Sequence, residues 1–113
     1  MIPQFKVNMA QDASSLVKEV LDSGYIGQGP KVELFEDLLL RELQTNVRPI
    51  TLNSCTSAIE LALHLIGINS GDEVISTPQT CFATQVGAIA RHAKIRWADI
   101  DPITGCIDPN SVK

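Results

Sequence analysis

Basic residues are scarce in this sequence, and it has no long hydrophobic run. Nine lysines and arginines stand against 13 acidic residues, which gives a net charge of -4 in a chain of 113 residues. A surface of this kind does not attract a nucleic-acid backbone or an anionic membrane. No apolar stretch reaches the length of a bilayer span, and the N-terminus lacks the basic and apolar segments of an export signal. We therefore expect a cytoplasmic protein with neither nucleic acid nor membrane as a partner.

Cysteine and histidine are also few. Cys55, Cys81 and Cys106 are odd in number and lack the spacing of metal ligands, and the two histidines form no cluster with them. The sequence therefore predicts reduced thiols and no metal site.

Two amphipathic segments occupy the first part of the chain. Apolar side chains recur at helical spacing in residues 14–24 and again in residues 31–43. Gly24 follows the first segment, and Pro30 suits the first turn of the second. The loop between them, GYIGQGP, contains three glycines. Residues 1–46 are accordingly predicted to form two helices joined by a glycine loop.

From Val47 onward the hydrophobic period changes. Strands are expected near residues 48–53, 73–77 and 94–98, with helical segments between them. Strand and helix in alternation are typical of an α/β fold with a mostly parallel sheet. Residues 47–113 are therefore predicted to form part of an α/β domain that the two helices precede.

A run of small polar side chains, Ser54-Cys55-Thr56-Ser57, lies where the first predicted strand gives way to a helix. Ligands gather at the carboxyl edge of a parallel sheet, where helix N-termini present unpaired amides. These amides, with the hydroxyls of Ser54, Thr56 and Ser57, would form a cup for a phosphate group. The alternative is that the hydroxyls only cap the helix.

Three ordered blocks carry a family resemblance: SGYIGQGPKVELFE, NSCTSAIELALHLIGINSGDEVISTPQT and AKIRWADIDPITGCIDP. Together they resemble the N-terminal part of the DegT/DnrJ/EryC1/StrS family, pyridoxal-phosphate enzymes of fold type I that are chiefly sugar-nucleotide aminotransferases. The resemblance implies that Ser54, Cys55, Thr56 and Ser57 hold the cofactor phosphate. Cys55 stands where the family often has glycine. It also implies a homo-oligomer that uses a sugar nucleotide and an amino-acid donor.

The resemblance assigns two further groups of residues. An aromatic side chain of the family stacks on the cofactor ring, and spacing from Pro78 puts Phe82 there, whereas spacing from Ala83-Thr84 puts Cys81 there. We select Phe82 because stacking needs a π face; the alternative is a core phenylalanine. Tyr25, Ile26 and Gln28 lie in the loop that runs close to the family's active site, which implies substrate contact.

Two aspartates close the last predicted strand. Asp99 and Asp101 could suggest metal binding or acid-base work. We expect them instead to start a turn with Pro102.

The lysine that binds the cofactor covalently in the family matches none of the five lysines present: Lys6, Lys18, Lys31, Lys94 and Lys113. Hence we assign no catalytic residue and expect an N-terminal fragment of a longer aminotransferase. One alternative is a dehydratase of the same family, in which histidine replaces that lysine. The other is a truncated domain without catalysis.

Overall fold

The computed structural model describes residues 2–3 and 5–113. Its contacts divide the chain into two compact units, one that ends at Ile50 and one that runs from Thr51 to Lys113.

The first unit contains two helices, α1 over Ala13–Ser23 and α2 over Pro30–Glu42. Helix α1 ends because Gly24 adopts a left-handed φ of 70°, and the Gly24 amide donates to the Leu21 carbonyl at 3.1 Å. Helix α2 begins with Pro30 at its first position, where no amide is needed for the helix. Both helices of the sequence prediction are thus confirmed.

The second unit is an α/β arrangement. Helix α3 covers Cys55–Leu65, strand β1 covers Glu73–Ser76, helix α4 covers Val86–Ala90 and strand β2 covers Lys94–Trp97. Short 3₁₀ turns lie at Phe82–Thr84 and Pro109–Val112. The two strands pair in parallel, with Glu73 opposite Lys94 and Ser76 opposite Trp97. The predicted α/β class is confirmed.

The first of the three predicted strands is not formed among the residues that the structure describes. Residues 48–53 join no ladder, and the sheet has two strands, in the order β1-β2. An alternating apolar pattern specifies extended backbone, but a strand also requires a partner for its amides and carbonyls. Pro49 removes one of the amides that could have paired. The prediction of three strands was therefore wrong by one.

The helical segment predicted after β1 is interrupted. It consists of the 3₁₀ turn Phe82–Thr84 and the five-residue α4, which meet at Gln85. The segment stops where His92 adopts a left-handed φ of 57°.

Helix α4 packs closely on α3 through a glycine. A Cβ placed on Gly87 would lie 3.0 Å from Glu60 Cγ, 3.1 Å from Leu63 Cδ1 and 3.3 Å from Glu60 Cα. The last of these atoms belongs to the backbone and cannot move aside by a side-chain rotation. Gly87 therefore sets the distance between the two helices.

We predict that Gly87→Ala destabilises the chain by up to about 2 kcal/mol. Overpacking of a tight contact costs typically about 1 to 3 kcal/mol, which outweighs the gain of up to about 1 kcal/mol that alanine brings to a helix. Urea unfolding measures the change. Gly27→Ala is the matched control, since nothing lies within 4 Å of a Cβ at Gly27. Equal effects of the two substitutions would contradict close packing at Gly87.

No helix within the described ranges is long and apolar enough to cross a membrane.

Candidate functional site

Serine hydroxyl groups cap the N-terminus of α3. Ser54 has an extended backbone, with φ -158° and ψ 156°, and its Oγ accepts a hydrogen bond from the Ser57 amide at 3.1 Å. The hydroxyls of Ser54 and Ser57 are 3.0 Å apart and share a second hydrogen bond. Ser54 is therefore the N-cap of α3, and two of the three hydroxyls are engaged in capping.

Two amides and one hydroxyl of this turn have no partner among the described residues. In the described part of the chain, the amides of Cys55 and Thr56 donate to no acceptor, and the Thr56 hydroxyl makes no hydrogen bond. Cys55 is exposed and Thr56 is half-buried. Two unpaired amides and one hydroxyl at the positive end of an 11-residue helix fit a phosphate group. We call Ser54, Cys55, Thr56 and Ser57 the phosphate cup.

Phe82 lies at the start of the 3₁₀ turn that follows β1. Its side chain is 65% exposed, and the turn contacts α3. Cys81, the alternative candidate for the ring contact, immediately precedes the turn and is also exposed. The hydroxyls of Thr80 and Thr84 are 3.2 Å apart across the same turn. The Phe82 ring is thus largely exposed to solvent in the described part of the chain.

Gln85 is a further residue of this region, which the sequence did not indicate. Its side chain is only 7% exposed, and Nε2 donates to Ser76 Oγ at 3.1 Å and to the Thr77 carbonyl at 3.0 Å. Both acceptors lie at the carboxyl end of β1. The only signal in the sequence is a polar side chain inside an otherwise apolar segment, and this signal does not identify the partner.

Asp101 starts a turn with Pro102, as predicted, whereas Asp99 bonds to the amide of the residue that follows it. Oδ1 of Asp99 accepts the Ile100 amide at 2.8 Å. Oδ1 of Asp101 accepts the amides of Thr104 at 2.9 Å and Ile103 at 2.8 Å. These two amides hold the pKa of the Asp101 carboxyl below its ordinary value. The carboxylates therefore stabilise local backbone.

The lowered pKa of Asp101 predicts a pH-dependent contribution to stability. The unfolded aspartate titrates near pH 4, so the contribution is fully present above about pH 4 and is lost as pH falls through the lower folded pKa. In Asp101→Asn the amide oxygen still accepts both hydrogen bonds, but nothing titrates. We expect a shallower loss of thermal stability below pH 4 in this variant than in the parent chain. An equally steep loss of thermal stability below pH 4 in both proteins would contradict the prediction.

The glycine loop of the first unit borders a cavity of about 640 Å³ that Tyr25 and Gln28 help to line. The Tyr25 ring lies over Gly29, because a Cβ at Gly29 would come within 2.2 Å of Tyr25 Cε1. Ile26 lies instead on a separate apolar groove of about 490 Å³ between α1 and α2. The structure thus places two of the three candidate substrate residues at one cavity and the third at another.

No group of three or more metal-binding side chains occurs within the described ranges. All three cysteines are free thiols on the surface.

The model of the DegT/DnrJ/EryC1/StrS aminotransferase family matches residues 7–113. The spore coat polysaccharide biosynthesis protein SpsC of Bacillus subtilis is 42% identical over 93 residues, which are 82% of this chain and 24% of SpsC. The 3-oxo-glucose-6-phosphate:glutamate aminotransferase of the same organism is 35% identical over 103 residues, 91% of this chain and 23% of that enzyme.

Among solved structures, the PLP form of the sugar aminotransferase Spr1654 from Streptococcus pneumoniae superposes with a TM-score of 0.90. The sequences are 31% identical, and the match covers 98% of this chain and 28% of that protein. The chain thus spans about a quarter of the length of the proteins that it matches.

Proposed function

This chain belongs to the DegT/DnrJ/EryC1/StrS aminotransferase family, and on that premise we propose that it is the N-terminal portion of a pyridoxal-phosphate-dependent aminotransferase. The acceptor in our proposal is a keto-sugar nucleotide, and the donor is an amino acid such as glutamate. The observation that carries the proposal is the phosphate cup, in which the amides of Cys55 and Thr56 and the Thr56 hydroxyl have no partner among the described residues.

Five residues of the second unit have a defined part in this proposal. The amides of Cys55 and Thr56 bind the cofactor phosphate, the Thr56 hydroxyl donates a further hydrogen bond, and Ser54 and Ser57 keep the helix N-terminus in shape. Phe82 presents its ring face to the pyridine ring. Pyridoxal phosphate, when bound, supplies the electron sink and amino-group carrier that amino transfer needs.

The relatives support a keto-sugar acceptor and glutamate as donor, whereas the nucleotide part of the acceptor rests on the family resemblance. One relative is named as a 3-oxo-glucose-6-phosphate:glutamate aminotransferase and another as a spore coat polysaccharide biosynthesis protein. We propose Tyr25, Ile26 and Gln28 as substrate contacts. Support comes from the cavity of about 640 Å³, whose lining combines apolar atoms with the Tyr25 phenol and the Gln28 amide.

Two general properties belong to the same proposal. The assembly is a homo-oligomer, which the many exposed apolar side chains favour. The compartment is the cytoplasm, because three exposed thiols suit a reducing environment.

A comparison of two polypeptides tests the function. The first is the 113-residue chain, and the second is the product of the complete coding region. With pyridoxal phosphate, glutamate and a keto-sugar nucleotide, the complete product is expected to form 2-oxoglutarate and amino sugar in equal amounts, whereas these residues alone should form neither. If the complete polypeptide instead releases water from the sugar without transferring nitrogen to it, that result supports a dehydratase and contradicts the aminotransferase proposal.

A further inference from the structure

The Gln85 side chain is buried, and its amide nitrogen makes two hydrogen bonds at the end of a strand. Its amide group has two N–H donors, and the hydrogen bonds to Ser76 Oγ and the Thr77 carbonyl account for both. Removal of the amide would leave the Thr77 carbonyl without this donor in a half-buried place. Such loss is costlier than loss of an exposed hydrogen bond, because water cannot replace the donor freely.

The backbone of Gln85 is fixed from the other side. Its amide donates to the Phe82 carbonyl at 3.0 Å, and its carbonyl accepts the amides of Ala88 at 3.1 Å and Ile89 at 3.0 Å. The residue therefore joins the 3₁₀ turn to α4 while its side chain holds the end of β1. Residues 77–84 form a loop whose two ends are tied together by this one side chain.

We infer that Gln85 is a positioning residue that fixes loop 77–84 and so determines where Cys81 and Phe82 are presented. The inference rests on the proposed function, in which Phe82 contacts the cofactor ring. It also gives the hydroxyl of Ser76 a role, since this group accepts one of the two hydrogen bonds. The phosphate cup lies on α3 and makes none of these hydrogen bonds. We therefore expect Gln85 to affect the position of Cys81 and Phe82 more than it affects the phosphate cup.

Backbone amides report on the loop in the chain itself. The amides of residues 84 and 85 donate to the carbonyls of Cys81 and Phe82 at 2.9 and 3.0 Å, so the rate of their hydrogen exchange measures opening of the loop. Gln85→Met keeps the side-chain volume but removes both hydrogen bonds, and we expect its rate to rise on the order of tenfold. Ser76→Ala, which removes one acceptor, should give a smaller rise. Gln79→Met, the same change at an exposed glutamine of the loop, should give none.

Ligand affinity separates positioning from a general loss of structure. In the complete protein, Gln85→Met should weaken binding of pyridoxal phosphate severalfold and leave the affinity for inorganic phosphate unchanged. A merely structural role predicts equal losses for both ligands, and that result would overturn the inference. An unchanged exchange rate in Gln85→Met, or an equal rise in Gln79→Met, would also overturn it.

Folding and function are distinguished within the same experiment. If Gln85→Met does not fold, as judged by circular dichroism, the Ser76→Ala rate decides: a rise supports positioning and an unchanged rate overturns it. If the parent protein does not bind pyridoxal phosphate, the proposed function fails, but the hydrogen-exchange rates still support or overturn the control of the loop by Gln85.

Discussion

Thr56→Val is expected to weaken the binding of pyridoxal phosphate by about 1 to 3 kcal/mol, or roughly 5- to 150-fold, in the complete enzyme. The Thr56 hydroxyl has no hydrogen-bond partner in the described chain, while the neighbouring hydroxyls of Ser54 and Ser57 bond to each other. A hydrogen bond to a charged phosphate is stronger than one between neutral groups. Valine keeps the shape of threonine and removes only this donor.

Ser54→Ala is the matched control for helix capping. It removes the acceptor of the Ser57 amide and should lower the free energy of unfolding by roughly 0.5 to 2 kcal/mol. Thr56→Val should leave the unfolding free energy nearly unchanged, because its hydroxyl caps nothing. Equilibrium titration with cofactor and urea unfolding on both variants separate the two roles. Reduced stability with unchanged affinity in Thr56→Val would remove Thr56 from the phosphate cup.

The helical part of the fold could be read from the sequence because its signals are local. Gly24 and Pro30 bracket the glycine loop, and both act through their own backbone geometry. The parallel pair β1 and β2 was also predictable, since each strand is a short apolar run between turn residues. These signals require no knowledge of distant partners.

The missed features depend on partners that lie far along the chain. Residues 48–53 have a strand pattern but join no ladder in the described chain, and pattern alone cannot supply a neighbour. Gln85 reads as an isolated polar residue until the fold brings Ser76 and Thr77 against it. In the phosphate cup, four candidate residues were predicted from the sequence, whereas the hydrogen bonds of the described residues divide them into two capping serines and the unpaired groups of Cys55 and Thr56.

We also expect the chain to form a dimer or a larger assembly at high concentration. In the described part of the chain, the only apolar side chains that are fully buried are those of Ala88 and Ala98, at 1% and 2% exposure. Large apolar side chains such as Phe35, Leu38 and Trp97 remain about half exposed. Burial of a large side chain contributes roughly 1.5 to 3 kcal/mol, so a few such contacts across two copies offset the entropy cost of association.

Light scattering coupled to size exclusion tests this expectation over a dilution series. A mass of at least twice the 12.3 kDa of one chain is expected at the highest concentration, with a decrease on dilution. Salt provides the control, because apolar association is not weakened by raising ionic strength, whereas association through surface charges is screened. The distinction is useful in this chain, since the ion pairs of Glu73 with Arg96 and of Lys18 with Asp22 lie on the surface. A single species of 12.3 kDa at every concentration would show that these exposed side chains do not join copies of the chain.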